Sequence, residues 1–227
     1  MTSIAEAVRS ALAVRGELAG ILALSLFVSG AAVVAAMALG VPAGIVLALR
    51  RFPGRRMLVT LVNTGMGLPP VVVGLFVFLL LARSGPLGAL EILYTPWAMI
   101  LAQIVIATPL VTGITLAAIQ GLDPRVHLQI LSLGASRLQV HWKLVQEARL
   151  SLVAALAAGF GSIISEVGAV MIVGGNIKGQ TRVMTTAIVL ETRQGEFAAA
   201  VVLGVILLAL TMLFNWLFTW IQQRQKG

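Results

Sequence analysis

From Ile21 to Leu49 the chain runs without a charged residue, and the run stops at an arginine block, Arg50, Arg51, Arg55 and Arg56, wrapped around a Phe52-Pro53-Gly54 turn. Roughly twenty apolar residues suffice to cross a hydrocarbon core of ~30 Å, so a run of this length belongs in a bilayer. The character is general: 59% of the 227 residues are hydrophobic and 11% are charged, more apolar surface than a soluble core needs or could keep in solution. The chain reads as an integral membrane protein.

Four further windows are long and apolar enough to cross. The predicted spans are about 18–49, 57–82, 96–119, 150–173 and 197–221, which makes an all-α bundle in a single transmembrane domain covering 1–227. The first window corresponds to roughly 45 Å of helix at 1.5 Å per residue, longer than the apolar slab, and is expected to tilt or to kink near Gly40 and Pro42. A cleaved signal peptide does not suit it, because a signal's apolar region is shorter and follows positive charge. Gly40 and Gly44 form a small-xxx-small pair that lets another helix approach closely.

Basic residues orient the bundle. Arg50, Arg51, Arg55 and Arg56 follow span one, Arg125, Arg137, Lys143 and Arg149 follow span three, and Arg224 and Lys226 end the chain, so these segments are expected in the cytoplasm. The other face holds Arg9, Arg15, Arg83, Lys178, Arg182 and Arg193, diluted by Glu6, Glu17, Glu91, Glu191 and Glu196. The predicted topology is N-terminus outside and C-terminus inside. The net charge of +8 is this positive-inside bias, not a nucleic-acid surface. With no cysteine, disulfides, thiolate metal sites and cysteine nucleophiles are excluded.

Between Gly121 and Arg149 the chain stays in the cytoplasm longer than a tight hairpin requires. Asp123 is a good N-cap and Pro124 a good first helical residue. Gly134 can end that helix in a left-handed conformation, and Ser136 with Gln139 makes a capping box that opens a second. Two short helices at a glycine elbow read as a docking element for a soluble partner; the plainer alternative is a solvated loop. His127 and His141 lie here without an Asp, Glu or Cys cluster, so no metal site is expected.

Leu133-Gly134-Ala135-Ser136-Arg137-Leu138 resembles the centre of the EAA loop of ABC importer permeases, in which a glycine separates two coupling helices that dock on the ATPase subunit. Arg51-Phe52-Pro53-Gly54-Arg55, Leu68-Pro69-Pro70-Val71-Val72-Val73-Gly74 and Ile164-Ser165-Glu166-Val167-Gly168-Ala169-Val170 resemble stretches of the molybdate and sulfate permeases. The family's glutamate and two alanines are replaced by Leu128, Gln129 and Ile130, and its Leu-Pro after the second helix by Gln146-Glu147. That replacement, the run from Glu166 to Asn176 and Thr185-Thr186-Ala187-Ile188 resemble the tungstate-importer branch.

The resemblance implies a five-helix type I importer permease that is not itself an enzyme and binds no cofactor, with ATP and Mg on a partner subunit. It implies a second copy of the chain, two ATP-binding subunits on the cytoplasmic side and an extracytoplasmic oxyanion-binding protein. It places ATPase coupling at Asp123, Arg125, Leu133, Gly134, Ala135, Ser136 and Arg137.

A path for a tetrahedral oxyanion must release what it admits, so hydroxyls, amides and helix ends suit it better than a buried arginine. The candidates are Thr60, Asn63, Thr64, Thr108, Thr112, Ser162 and Ser165, against the alternative that such groups only bond backbone or pack helices. Pro69-Pro70 and Thr108-Pro109 are expected to interrupt helices within the membrane and so to form a gate or cavity wall. Glu166, the one acidic residue deep in a predicted span, would repel a dianion. A structural or gating role is favoured, with Asn176 or a partner subunit as its bonding partner, over substrate ligation.

Gly174-Gly175-Asn176-Ile177-Lys178-Gly179-Gln180-Thr181 nearly spells a phosphate loop, but Gln180 stands in place of the lysine and a membrane helix precedes it, so it is no ATP site. It is expected to be a flexible outer loop, or one in which Asn176, Lys178 and Arg182 attract the anion or contact a binding protein at the outer mouth. Molybdate or sulfate would use the same architecture. An ATP-independent, proton-coupled carrier would need Glu166 to titrate, and an intramembrane enzyme lacks a convergent catalytic set.

Overall fold

The computed structural model describes residues 15–224, and is helical almost throughout. Glu6, Arg9 and Lys226, used above to orient the chain, lie outside the described residues. The helices are α1 (Arg15–Leu49), α2 (Arg55–Met66), α3 (Pro70–Leu81), α4 (Pro96–Gln120), α5 (Pro124–Ser132), α6 (Arg137–Glu147), α7 (Arg149–Ile164), α8 (Gly168–Gly174), α9 (Met184–Gln194) and α10 (Phe197–Arg224), with a 3-10 turn at Gly88–Leu90.

Three helices, α1, α4 and α10, are each long and apolar enough to cross a membrane. The other two predicted spans are not single helices. The window 57–82 is α2 and α3, bent by 106°, and the window 150–173 is α7 and α8, bent by 59°. The first break has a sequence cause. Pro69 and Pro70 cannot donate backbone bonds to the turn before them, so α2 ends at Met66, capped by Gly67, whose N–H reaches the Thr64 carbonyl, and Pro70 starts α3 as its first residue. The proline in α4 acts differently. Pro109 sits inside a continuous helix, and the expected interruption at Thr108-Pro109 does not occur. The Thr108 hydroxyl donates to the Ile104 carbonyl (2.7 Å) and the Thr112 hydroxyl to the Thr108 carbonyl (2.7 Å), adding bonds on either side of the missing one. Pro42 likewise lies within an unbroken α1.

The bundle is built around α4, 56% of whose apolar window is buried, against 33% for α1 and 17% for α10. Close packing comes from small residues: Ala32, Ala36, Ala98, Ala102, Ala107, Ala155 and Ala169 are fully buried. In a bilayer the lipid is as apolar as leucine, so helices associate through such close approach. Gly40 and Gly44 follow this rule. A Cβ on Gly40 would lie 2.9 Å from Val111 Cγ1, and one on Gly44 2.8 Å from the Thr112 carbonyl oxygen, so α1 meets α4 with almost no gap.

At one end of the bundle α5 and α6 pack on the ends of the long helices. Val140, Leu144 and Ala148 form a buried cluster with Ile119 of α4, flanked by Ile45 and Leu49 of α1. At the other end, the outer segment between the last two predicted spans contains α9, which runs from Met184 to Gln194 and is closed by Gly195 in a left-handed conformation. Its first N–H donates to the Ser25 hydroxyl of α1 (2.9 Å), which in turn donates to the Ile21 carbonyl (2.7 Å).

Candidate translocation and coupling sites

The two helix breaks face each other. A Cβ on Gly74 of α3 would lie 2.6 Å from the Ala169 Cα of α8, and one on Gly168 2.5 Å from Val71 Cγ2. The Leu68–Gly74 and Ile164–Val170 stretches, far apart in sequence, therefore form one contact across which the second halves of both broken spans touch.

A broken helix inside a membrane frees carbonyls that lipid cannot satisfy. Here the chain supplies the partners. Gln103 of α4, buried, donates to the Ile163 carbonyl at the end of α7 (3.1 Å). The Ser165 hydroxyl bonds the Gly161 carbonyl (2.9 Å), and Thr185 of α9 donates to the Glu166 carbonyl (2.9 Å). Glu166 accepts the Ala169 N–H through Oε1 (3.0 Å) and so caps α8, which is the charge placement a helix N-terminus favours. No bond joins Glu166 to Asn176 among the described residues. Asn176 is left-handed (φ 52°), and its side-chain oxygen is buried without a partner. Gln103 was not singled out from sequence, and Thr185 was noted only within a stretch that resembles the tungstate-importer branch, because nothing local marks a glutamine or threonine as the partner of a carbonyl on another helix.

The path candidates divide into two groups. Thr60, Thr108, Thr112 and Ser165 bond carbonyls four residues back on their own helices, the ordinary use of such hydroxyls. Asn63 and Thr64, on the last turn of α2, and Ser162, on the last turn of α7, are exposed and make no side-chain hydrogen bond among the described residues. Each of these lies just before a break. Pro109 supports the first break from behind, since a Cβ on Gly65 would meet its ring at 2.7 Å.

At the coupling end, Asp123 Oδ1 accepts the Arg125 N–H (2.8 Å) and Pro124 begins α5. Gly134 is left-handed (φ 76°) and has open space where a Cβ would be, so the glycine is required by conformation and not by packing. Ser136 closes the capping box with Gln139: its N–H donates to Oε1 (2.7 Å) and its hydroxyl accepts the Gln139 N–H (3.4 Å), opening α6 at Arg137. Leu133 at the tip is 86% exposed and Trp142 63%, with Ala135 half-buried beneath.

At the other end Lys178 and Arg182 share one carboxylate: Lys178 Nζ lies 2.9 Å from Glu17 Oε2, and Arg182 Nη1 lies 3.0 Å from Glu17 Oε1. The 174–181 segment is not the flexible loop that one reading expected, since the Ile177 carbonyl accepts the N–H groups of Gln180, Thr181 and Arg182, and the buried Thr181 hydroxyl donates to the Gly174 carbonyl.

The family model for the inner membrane component of binding-protein-dependent transport systems matches residues 40–227. The chain belongs to this family. It is a multi-pass membrane permease with the type I ABC importer fold. It is 43% identical over 215 residues to a probable anion ABC transporter permease protein of Haloferax volcanii, covering 92% of this chain and 93% of that one. It is 40% identical over 195 residues to the tungstate uptake system permease protein TupB of Peptoclostridium acidaminophilum, covering 86% of each. Among solved structures, the MetNI methionine ABC transporter in inward-facing conformations superposes with a TM-score of 0.74 over 92% of this chain and 96% of that one at 17% identity, a likeness of fold alone.

Proposed function

We propose that this permease forms the membrane path of an ATP-driven tungstate importer. The observation that carries the substrate assignment is the 40% identity, across 86% of both chains, to a permease named for tungstate uptake, joined by the match to an anion permease.

In this reading the chain spans 1–227 as one transmembrane domain of the cytoplasmic membrane, with its N-terminus outside and the α5–α6 elbow in the cytoplasm. It pairs with a second copy, because one bundle with its breaks open on one side does not enclose a path. Two ATP-binding subunits, carrying ATP and Mg, dock at the elbow, and an extracytoplasmic binding protein delivers the anion. The chain itself performs no chemistry and holds no cofactor.

The elbow is the coupling element, through Asp123, Arg125, Leu133, Gly134, Ala135, Ser136 and Arg137. Exposed Leu133 and Trp142 supply apolar contact for a soluble partner, and the capped helices behind them make the elbow stiff. Movement of the ATPase pair passes through the Val140–Leu144–Ile119 cluster into the ends of α1 and α4, and from α4 through Gln103 and Pro109 to both breaks. The facing breaks form the gate, from Pro69, Pro70, Glu166 and Ser165, with Thr108 and Pro109 behind them. Asn63, Thr64 and Ser162 offer polar groups to the passing anion, and Glu166, committed to capping α8, takes no part in ligation.

The test is uptake of labelled tungstate into vesicles containing the chain, its ATPase and its binding protein, with molybdate and sulfate as competitors. Uptake that requires ATP and survives excess of both competitors is expected. Preferential loss to molybdate would move the substrate, and uptake without ATP would overturn the class.

A further inference from the structure

We propose that the cleft between α1, α2 and α4 binds one anionic phospholipid, with an acyl chain between the helices and the phosphate held by the arginines of the 50–56 turn. The cleft has a volume of about 460 Å³ and is lined by Val46, Leu47, Phe52, Leu61, Val62 and Pro109 among others. Its two threonines, Thr108 and Thr112, donate their hydroxyls to backbone carbonyls, so the walls offer a polar solute little. Left empty, an open cleft of this kind forfeits dispersion contacts along its walls, and apolar walls do not hold water well. A lipid tail restores the contacts and leaves one apolar medium for another.

The charge at the mouth selects the headgroup. Phe52 enters the cleft from the turn, which places Arg51 and its neighbours at the rim. Arg55 Nε donates to the carbonyl of Leu47, itself a lining residue (2.7 Å), and pins the turn there. Arg50, Arg51 and Arg56 are exposed and have no ion-pair partner among the described residues, where both ion pairs belong to Glu17. A phosphate with a net negative charge complements them, whereas a zwitterionic headgroup brings its own cation. Each basic residue near an anionic headgroup favours binding by a factor of roughly five.

Native mass spectrometry of the assembled transporter, exchanged into mixed phosphatidylglycerol and phosphatidylcholine, tests this without reference to any transported substrate. The expected result is retention of one phosphatidylglycerol per permease chain with a preference of about tenfold over phosphatidylcholine. The Arg51→Gln/Arg56→Gln double variant should lose that preference by at least about fivefold. Leu61→Trp, which fills the cleft, should lose both lipids, and Val62→Phe fills it from the same helix should the first variant fail to assemble. The intact complex mass in the same spectrum reports assembly. Equal retention of the two lipids by the unaltered protein, an unchanged preference in the arginine variant, or full retention in an assembled cleft-filled variant would each overturn the site.

Discussion

Gly134 separates conformation from packing in a single residue. Its φ of 76° is left-handed and no atom stands where a side chain would go, so the requirement is for backbone freedom alone. Gly134→Asn, which tolerates that region, should keep ATP hydrolysis coupled to transport. Gly134→Val places a β-branched residue there at a cost of roughly 1–2 kcal/mol and should uncouple hydrolysis from uptake while membrane insertion stays normal. Comparing ATPase and uptake rates for the two variants checks this, and equal behaviour would show that the elbow's angle carries no motion. Glu166 illustrates the reverse case: a structural or gating role with Asn176 or a partner subunit was expected of it, and its carboxylate instead accepts the Ala169 N–H at the start of α8. The difference lies in the break at Ser165, which no residue within the predicted span announces as plainly as the two prolines announce the other.

At the scale of elements, the contact between α3 and α8 rests on the absence of two side chains. Gly74→Ala would put a methyl 2.6 Å from the Ala169 Cα, backbone that cannot rotate away, and the helices must separate. The expected loss is about 1–3 kcal/mol, read as a lower thermal midpoint in detergent, together with impaired uptake. Gly204→Ala on α10, where nothing lies within 4 Å, is the control and should change neither. The cap and turn signals around Asp123, Gly134 and Ser136 were legible in sequence because each is completed within three residues. The meeting of Gly74 with Ala169 was not, since a small residue in an apolar helix reads the same whether it faces lipid or another helix.

Across the whole molecule, Glu17 joins the beginning of α1 to a segment 165 positions later. Both cations hold the one carboxylate, the Lys178 side chain 70% exposed and that of Arg182 16% exposed, so the Glu17–Arg182 pair is the better shielded from solvent. Glu17→Gln, which removes both pairs, should lower stability by roughly 1 kcal/mol and Arg182→Met by less, with the double variant close to Glu17→Gln alone. Additive losses in a thermal double-mutant cycle would show that the pair is incidental. The sequence by itself determined that this chain lies in a membrane, where its apolar windows fall, and how the 121–149 excursion turns, because hydropathy and capping act over a few neighbouring residues. Only the tertiary structure decided that two of those windows bend, that their breaks meet, that Gln103 and Thr185 satisfy the freed carbonyls, and that Lys178 and Arg182 are bound to Glu17. Those facts depend on which helix stands beside which, and in a bilayer that choice comes from the fit of surfaces brought together from distant parts of the chain.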